Sequence, residues 1–138
     1  MSTFIESVME AFKSLLSRGL LRVESSAHDP HAFGNAVVVL VGENLRVRVI
    51  SDRGDTFAEA ASRVDPQNWF PLQRVIQALG VSSPPSEGLL TLEKAADIVD
   101  RYYWELDTGL GCRLDQTRRA LAELERFAIK RLVDRASD

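Results

Sequence analysis

Ala36-Val37-Val38-Val39-Leu40-Val41-Gly42-Glu43-Asn44-Leu45-Arg46-Val47-Arg48-Val49-Ile50 is the stretch on which the reading of the fold turns. Its first six residues are apolar without interruption, the pattern of a strand covered on both faces. Gly42-Glu43-Asn44 then supplies hairpin-loop chemistry. From Leu45 the pattern alternates, which sets Leu45, Val47 and Val49 on one side of a strand and Arg46 and Arg48 on the other. Two antiparallel strands follow directly. Upstream, Leu21, Val23 and Ser25 alternate with Arg22, Glu24 and Ser26 as a further strand, and His28-Asp29-Pro30-His31 reads as a turn. Downstream, Asp52-Arg53-Gly54-Asp55 is a turn, and Thr56-Phe57-Ala58-Glu59-Ala60-Ala61-Ser62 is torn between alanine's helix preference and the tight turn before it. We read 56–62 as an edge strand, giving a meander of three to four antiparallel strands.

Helices flank this meander. Phe4, Ile5, Val8, Phe12, Leu15 and Leu16 share one face of a helix over residues 3–17, with Thr3 and Glu6 as a capping box and Gly19 as the stop. Asp65-Pro66 breaks the chain. Pro71 suits the first turn of a helix over 71–79, whose apolar face is Leu72, Val75, Ile76 and Leu79, closed by Gly80. Residues 82–90 form a linker. Thr91 caps a helix from Leu92 to Leu106, and a second runs from Arg113 to Arg135 with Leu114, Thr117, Leu121, Leu124, Ala128 and Leu132 on one face. The short Gly109-Leu110-Gly111 connection predicts an antiparallel helical hairpin over 91–135, supported by five acidic and two basic side chains in 91–107 against seven basic and four acidic in 112–135. The expected fold is one α+β domain over 1–138, with an α+β portion at 1–81. Val39, Val47, Leu121 and Leu124 are expected in its core.

Composition narrows the function classes. A chain of 138 residues with 45% hydrophobic and 27% charged side chains is an ordinary globular domain. A net charge of −3 gives no general affinity for nucleic acid or an anionic membrane. The lone Cys112 excludes an intramolecular disulfide, the start lacks the basic n-region of a signal peptide, and the longest apolar run is far below bilayer length. A cytoplasmic location is therefore expected. Fourteen arginines against three lysines suggest a GC-rich bacterial genome.

No catalytic or metal motif stands out. His28 and His31 are the only histidines, and with Asp29 or Cys112 they lack the ligand number and spacing of a zinc site. Neither a nucleophile elbow nor a Gly-rich phosphate loop occurs, so no metal or cofactor is expected. Arg53-Gly54-Asp55 reads as a turn rather than an adhesion motif. Arg118, Arg119, Arg126, Lys130 and Arg131 form a basic face interspersed with acids, better suited to a solvated surface than to phosphates. Tyr102-Tyr103-Trp104 is more telling. Consecutive helical residues point about 100° apart, so three large aromatics cannot all enter one core. At least one is left for the surface, where aromatics anchor interfaces.

The run Phe33-Gly34-Asn35 through Asp52-Arg53-Gly54-Asp55, with Asp65-Pro66-Gln67-Asn68-Trp69-Phe70-Pro71-Leu72 after it, resembles a group of small, largely uncharacterised bacterial proteins. They share a Phe-Gly-Asn opening, an apolar strand, an Arg-alternating strand, Asp-Arg-Gly and a Trp before a short helix, and some resemble immunity proteins of toxin systems. The resemblance spans residues 33–80. It favours a strand at 56–62 and implies no active-site residue.

The function expected from these readings is a non-enzymatic protein-binding domain, in the form of an immunity-like inhibitor of a toxin. A small enzyme with a motif-less carboxylate site, or a nucleic-acid-associated protein using the last helix, are the alternatives. The candidate contact residues are Tyr103 and Trp104, framed by Asp97, Asp100, Glu105 and Asp107, and separately Arg46 and Arg48. The partner is a toxin-like protein or a second copy of this chain, with no role for a membrane.

Overall fold

The computed structural model describes residues 3–29, 35–81 and 90–137. Helices α1 (Phe4–Ala11) and α2 (Lys13–Ser17) lead into five strands: β1 (Arg22–Asp29), β2 (Asn35–Val41), β3 (Leu45–Asp52), β4 (Asp55–Ser62) and β5 (Asp65–Pro71). Helices α3 (Leu72–Leu79), α4 (Leu92–Arg101), α5 (Tyr103–Gly109) and α6 (Leu114–Ser137) complete the chain. The strands pair antiparallel in sequence order, so the sheet is an α+β meander of five strands rather than three to four.

The additional strand is β5. Asp65-Pro66 does not break the sheet, because proline is tolerated where no neighbour asks for its missing N–H, and β5 lies at an edge. It follows that 56–62 is a strand but not an edge: β4 pairs with β3 on one side and β5 on the other. Three further boundaries differ from the sequence reading. Residues His28 and Asp29 continue β1, while Pro30 and His31 lie outside the described residues. The first helix is interrupted at Phe12 (φ −96°, ψ 13°) and the 92–106 helix at Tyr102 (φ −113°, ψ 25°). The expected linker lies outside the described residues except for Leu90, which is buried in the core.

Local chemistry accounts for the turns. Thr3 and Thr91 each cap a helix by accepting a backbone N–H three residues on, from Glu6 and Lys94. Arg53 and Gly54 take φ of 53° and 86°, the paired left-handed conformation that closes a two-residue hairpin, so Arg-Gly-Asp here is hairpin chemistry.

Register separates the two faces of the sheet. Val38 pairs Val49, which pairs Ala58, and Leu40 pairs Val47, which pairs Ala60. These six share a single core cluster with Val8, Phe12, Leu15, Leu72, Val75, Ile76, Ala95, Val99, Leu106 and Leu121. The helices therefore cover that one face. Val39 and Val41, on the opposite face, are buried as well, so β2 is shielded on both sides. Their cover comes from Arg46 and Arg48, which the register sets beside them.

Helix α6 packs chiefly against α3, with α5 second. The opposite charges of the two C-terminal segments are satisfied elsewhere: Asp100 pairs with Arg18, and Arg118 with Asp65 on β5. Leu114, Thr117 and Leu121 are buried at the start of α6, Leu124 is half-buried, and Leu132 is exposed. The docked part of the helix thus ends near residue 124.

Candidate functional site

The interruption at Tyr102 decides which aromatics face outward. Beyond it, α5 presents Tyr103, Leu106 and Asp107 to the interior and Trp104, Glu105 and Thr108 to the surface. The Tyr103 hydroxyl donates to the Leu20 carbonyl at 2.9 Å. One turn later, the buried Asp107 carboxylate accepts the Asn44 backbone N–H at 2.8 Å and its side-chain amide at 3.2 Å. Asp107 thus pins α5 to the β2–β3 hairpin, 63 residues away in the chain, while Tyr103 ties it to the turn before β1. Two glycines make the approach possible. A Cβ at Gly42 would stand 2.7 Å from the Tyr103 hydroxyl, and one at Gly111 would stand 2.8 Å from both Asn44 and the Asp107 carbonyl. Burial holds the Tyr103 hydroxyl above its ordinary phenol pKa, with the Asp107 charge a second cause.

Trp104 is left 63% exposed, touching the buried Tyr103 ring edge-to-face at 5.2 Å. It stands on the wall of a groove. The groove is lined by Trp104, Glu105 and Thr108 of α5, by Leu79 and Val81 at and just beyond the end of α3, and by Arg113 and Gln116 at the turn into α6. Of the four acids expected around this patch, only Glu105 lies in the groove. Asp97 is exposed on α4, Asp100 is engaged with Arg18, and Asp107 is turned inward to Asn44.

The second candidate surface is closed on itself. Arg46 and Arg48 place their guanidinium carbons 4.9 and 4.5 Å from the centre of the Trp69 ring. Arg46 also donates to Glu24 at 2.9 Å and to the Pro66 carbonyl at 2.6 Å, and Arg48 pairs with Glu59. Every charged group in this cluster has an intramolecular partner, and the Arg46 side chain is only 13% exposed. The alternation that placed both arginines on one face could not show Trp69 arriving from β5 to lie against them.

The apolar face expected along the last helix as far as Leu132 is not covered to its end. Phe127, Ile129, Leu132 and Val133 are each more than half exposed. Arg131 stacks on the Phe127 ring at 5.3 Å, while Ala128, Ile129, Leu132 and Val133 share a side of the helix at 100° per residue. Cys112 is exposed in the turn before α6, and His28 lies on β1. Among the described residues no group of three or more His, Cys, Asp or Glu side chains could hold a metal ion, and no helix is long and apolar enough to cross a membrane.

The geometry therefore defines an α+β protein with helices on one face of a five-stranded antiparallel meander and an open tryptophan groove beside α5. No family model matches the chain, and neither a curated protein nor a solved structure matches it.

Proposed function

We propose that this chain is a protein-binding domain that acts by contact, with the Trp104 groove as its docking surface. The observation that carries the reading is the exposure of Trp104 on a helix held rigidly from behind. Tyr103, bonded to the Leu20 carbonyl, and Asp107, bonded to Asn44 of the β2–β3 loop, fix the backbone of α5 to the body of the protein, so little backbone freedom is lost on binding. Tryptophan in such a setting is among the residues that dominate interface energy. Arg46 and Arg48 are weaker candidates, because a partner would have to replace contacts they already make with Glu24, Glu59 and Trp69. Inhibition of a toxin is the form of this reading that the resemblance of residues 33–80 favours, with Glu105 meeting a basic surface.

The test is binding of a partner co-purified from the native cell by the wild-type chain and by two variants. Trp104→Ala should weaken the complex about 30-fold or more, roughly 2 kcal/mol, while leaving the fold intact. Arg48→Ala should leave affinity within a few-fold. Loss of the complex in Arg48→Ala with full binding by Trp104→Ala would move the site to the sheet.

A further inference from the structure

We infer that β1 is an interaction edge, on which the β1 strand of a second copy of this chain pairs antiparallel and joins two sheets into one. This edge lies apart from the Trp104 groove and does not depend on it.

The sheet ends in two unlike edges. β5 is blunted: Pro66 and Pro71 have no N–H to offer, the Pro66 carbonyl already accepts from Arg46, and Asp65 is held by Arg118. On β1, a bulge between Val23 and Ser25 bounds an open stretch, Ser25-Ser26-Ala27-His28, that has neither proline, lysine nor acid. Every residue from Glu24 to His28 is exposed, and among the described residues β2 is the only strand paired with β1.

Hydrogen-bond phase shows which groups this edge presents. The Gly42 N–H donates to the Leu45 carbonyl at 2.7 Å, so residues 42 and 45 form a pair of the bonded kind. Alternation along β2 then bonds Leu40, Val38 and Ala36 to β3, and Val39 and Val37 to β1. Their partners on β1 are Ser25 and Ala27. Ser26 and His28 therefore direct both N–H and C=O away from the sheet. A row of such groups is a template for another strand.

Self-complementarity selects that strand. An antiparallel copy centred on Ala27 sets Ser26 of each chain opposite His28 of the other, so both bonded pairs form in one register. The serine hydroxyl then meets the imidazole on each side of the axis, and no charge in 25–28 other than a protonated His28 repels the copy. A groove of about 450 Å³ runs beside this edge, lined by Phe4 and Ile5 of α1, Ser26 and His28 of β1, and Ala36 and Val38 of β2. A copy laid along β1 closes its open flank and has its own groove closed in turn. Because β5 is blunted, each chain has one such edge, and the assembly stops at two copies about a two-fold axis.

The test uses the full chain. In sedimentation velocity at up to about 500 μM, the wild type should move from monomer to dimer as concentration rises. Ser26→Pro deletes an outward N–H without touching the ladder to β2, and should stay monomeric with the circular dichroism of the wild type. A residue on the axis gives a reading that does not need that variant to fold. Ala27→Cys in a Cys112→Ser background puts two thiols in a non-bonded pair with Cα atoms about 4.5 Å apart, and mild oxidation should link them. Ser25→Cys in the same background should link at least about 10-fold less, because its two copies stand about 13 Å apart along the strands. A wild type that stays monomeric overturns the proposal. So does a dimer that survives in folded Ser26→Pro, or one that links equally at 25 and 27.

Discussion

The chain has two tryptophans, and they are opposites. Trp69 lies against two guanidinium groups on the sheet, each tied to a glutamate, in a cluster where every charged group is answered. Trp104 stands on α5 with one aromatic edge for company and most of its surface in solvent. Residue type is the same and composition cannot separate them. What separates them is the partners the fold brings: for Trp69 two arginines of β3, themselves tied to Glu24 of β1 and Glu59 of β4, and for Trp104 the edge of a single ring on its own helix. The same division runs along α6, whose first turns are docked and whose last turns project. A closed cluster stabilises the chain that contains it, and an open one is available to another chain.

The largest expected effect lies within α6. Leu121→Ala should destabilise by about 2–5 kcal/mol, whereas Leu132→Ala in dilute, monomeric protein should change stability by less than about 0.5 kcal/mol. Urea unfolding of both variants checks this, and equal costs would show that the tail is docked in the monomer. Next in size, Trp69→Ala should cost about 2–3 kcal/mol, from lost apolar contact and two cation–π interactions, while Trp104→Ala in the same dilute regime should cost less than about 0.5 kcal/mol. Similar losses at the two positions would erase the contrast.

The clamp behind Trp104 gives a smaller, pH-dependent effect. Tyr103→Phe removes one hydrogen bond and should cost about 1 kcal/mol near neutral pH. The folded-state pKa of Tyr103 is raised, so the folded chain holds the phenol proton more tightly than the unfolded chain does. The stability this contributes is complete below the unfolded value of 10.0 and is lost as pH rises through the higher folded value. The wild type should therefore lose its advantage over Tyr103→Phe above pH 10.0, measured by urea unfolding across that range. An advantage that stayed constant would mean the hydroxyl ionises as freely in the folded chain as in the unfolded one. Smallest of all, Glu59→Gln should cost about 0–1 kcal/mol, and less at high salt, because the pair with Arg48 is partly solvated.

How much was legible depended on how local the cause was. Strands β2 and β3 could be read because hydrophobic periodicity is written in consecutive residues, and α3 because Pro71 and Gly80 bracket it. Strand β5 could not: Asp65-Pro66-Gln67-Asn68 has loop composition, and only its place at the sheet edge makes the proline harmless. The interruptions at Phe12 and Tyr102 carry neither glycine nor proline, and the apolar pattern runs straight through both. Asp107 read as one more surface acid because its partner Asn44 is 63 residues away. Geometry alone showed that Tyr103 turns in and Trp104 turns out, since the sequence required only that the aromatics part company.

Acrylamide quenching of the fluorescence of Trp69→Phe and Trp104→Phe, each of which keeps a single indole, tests the open character of Trp104 most directly. The Trp104 indole should be quenched severalfold more steeply than that of Trp69, because it is 63% exposed whereas Trp69 is half-buried against Arg46 and Arg48. Equal quenching of the two indoles would contradict the contrast between the open and the closed tryptophan.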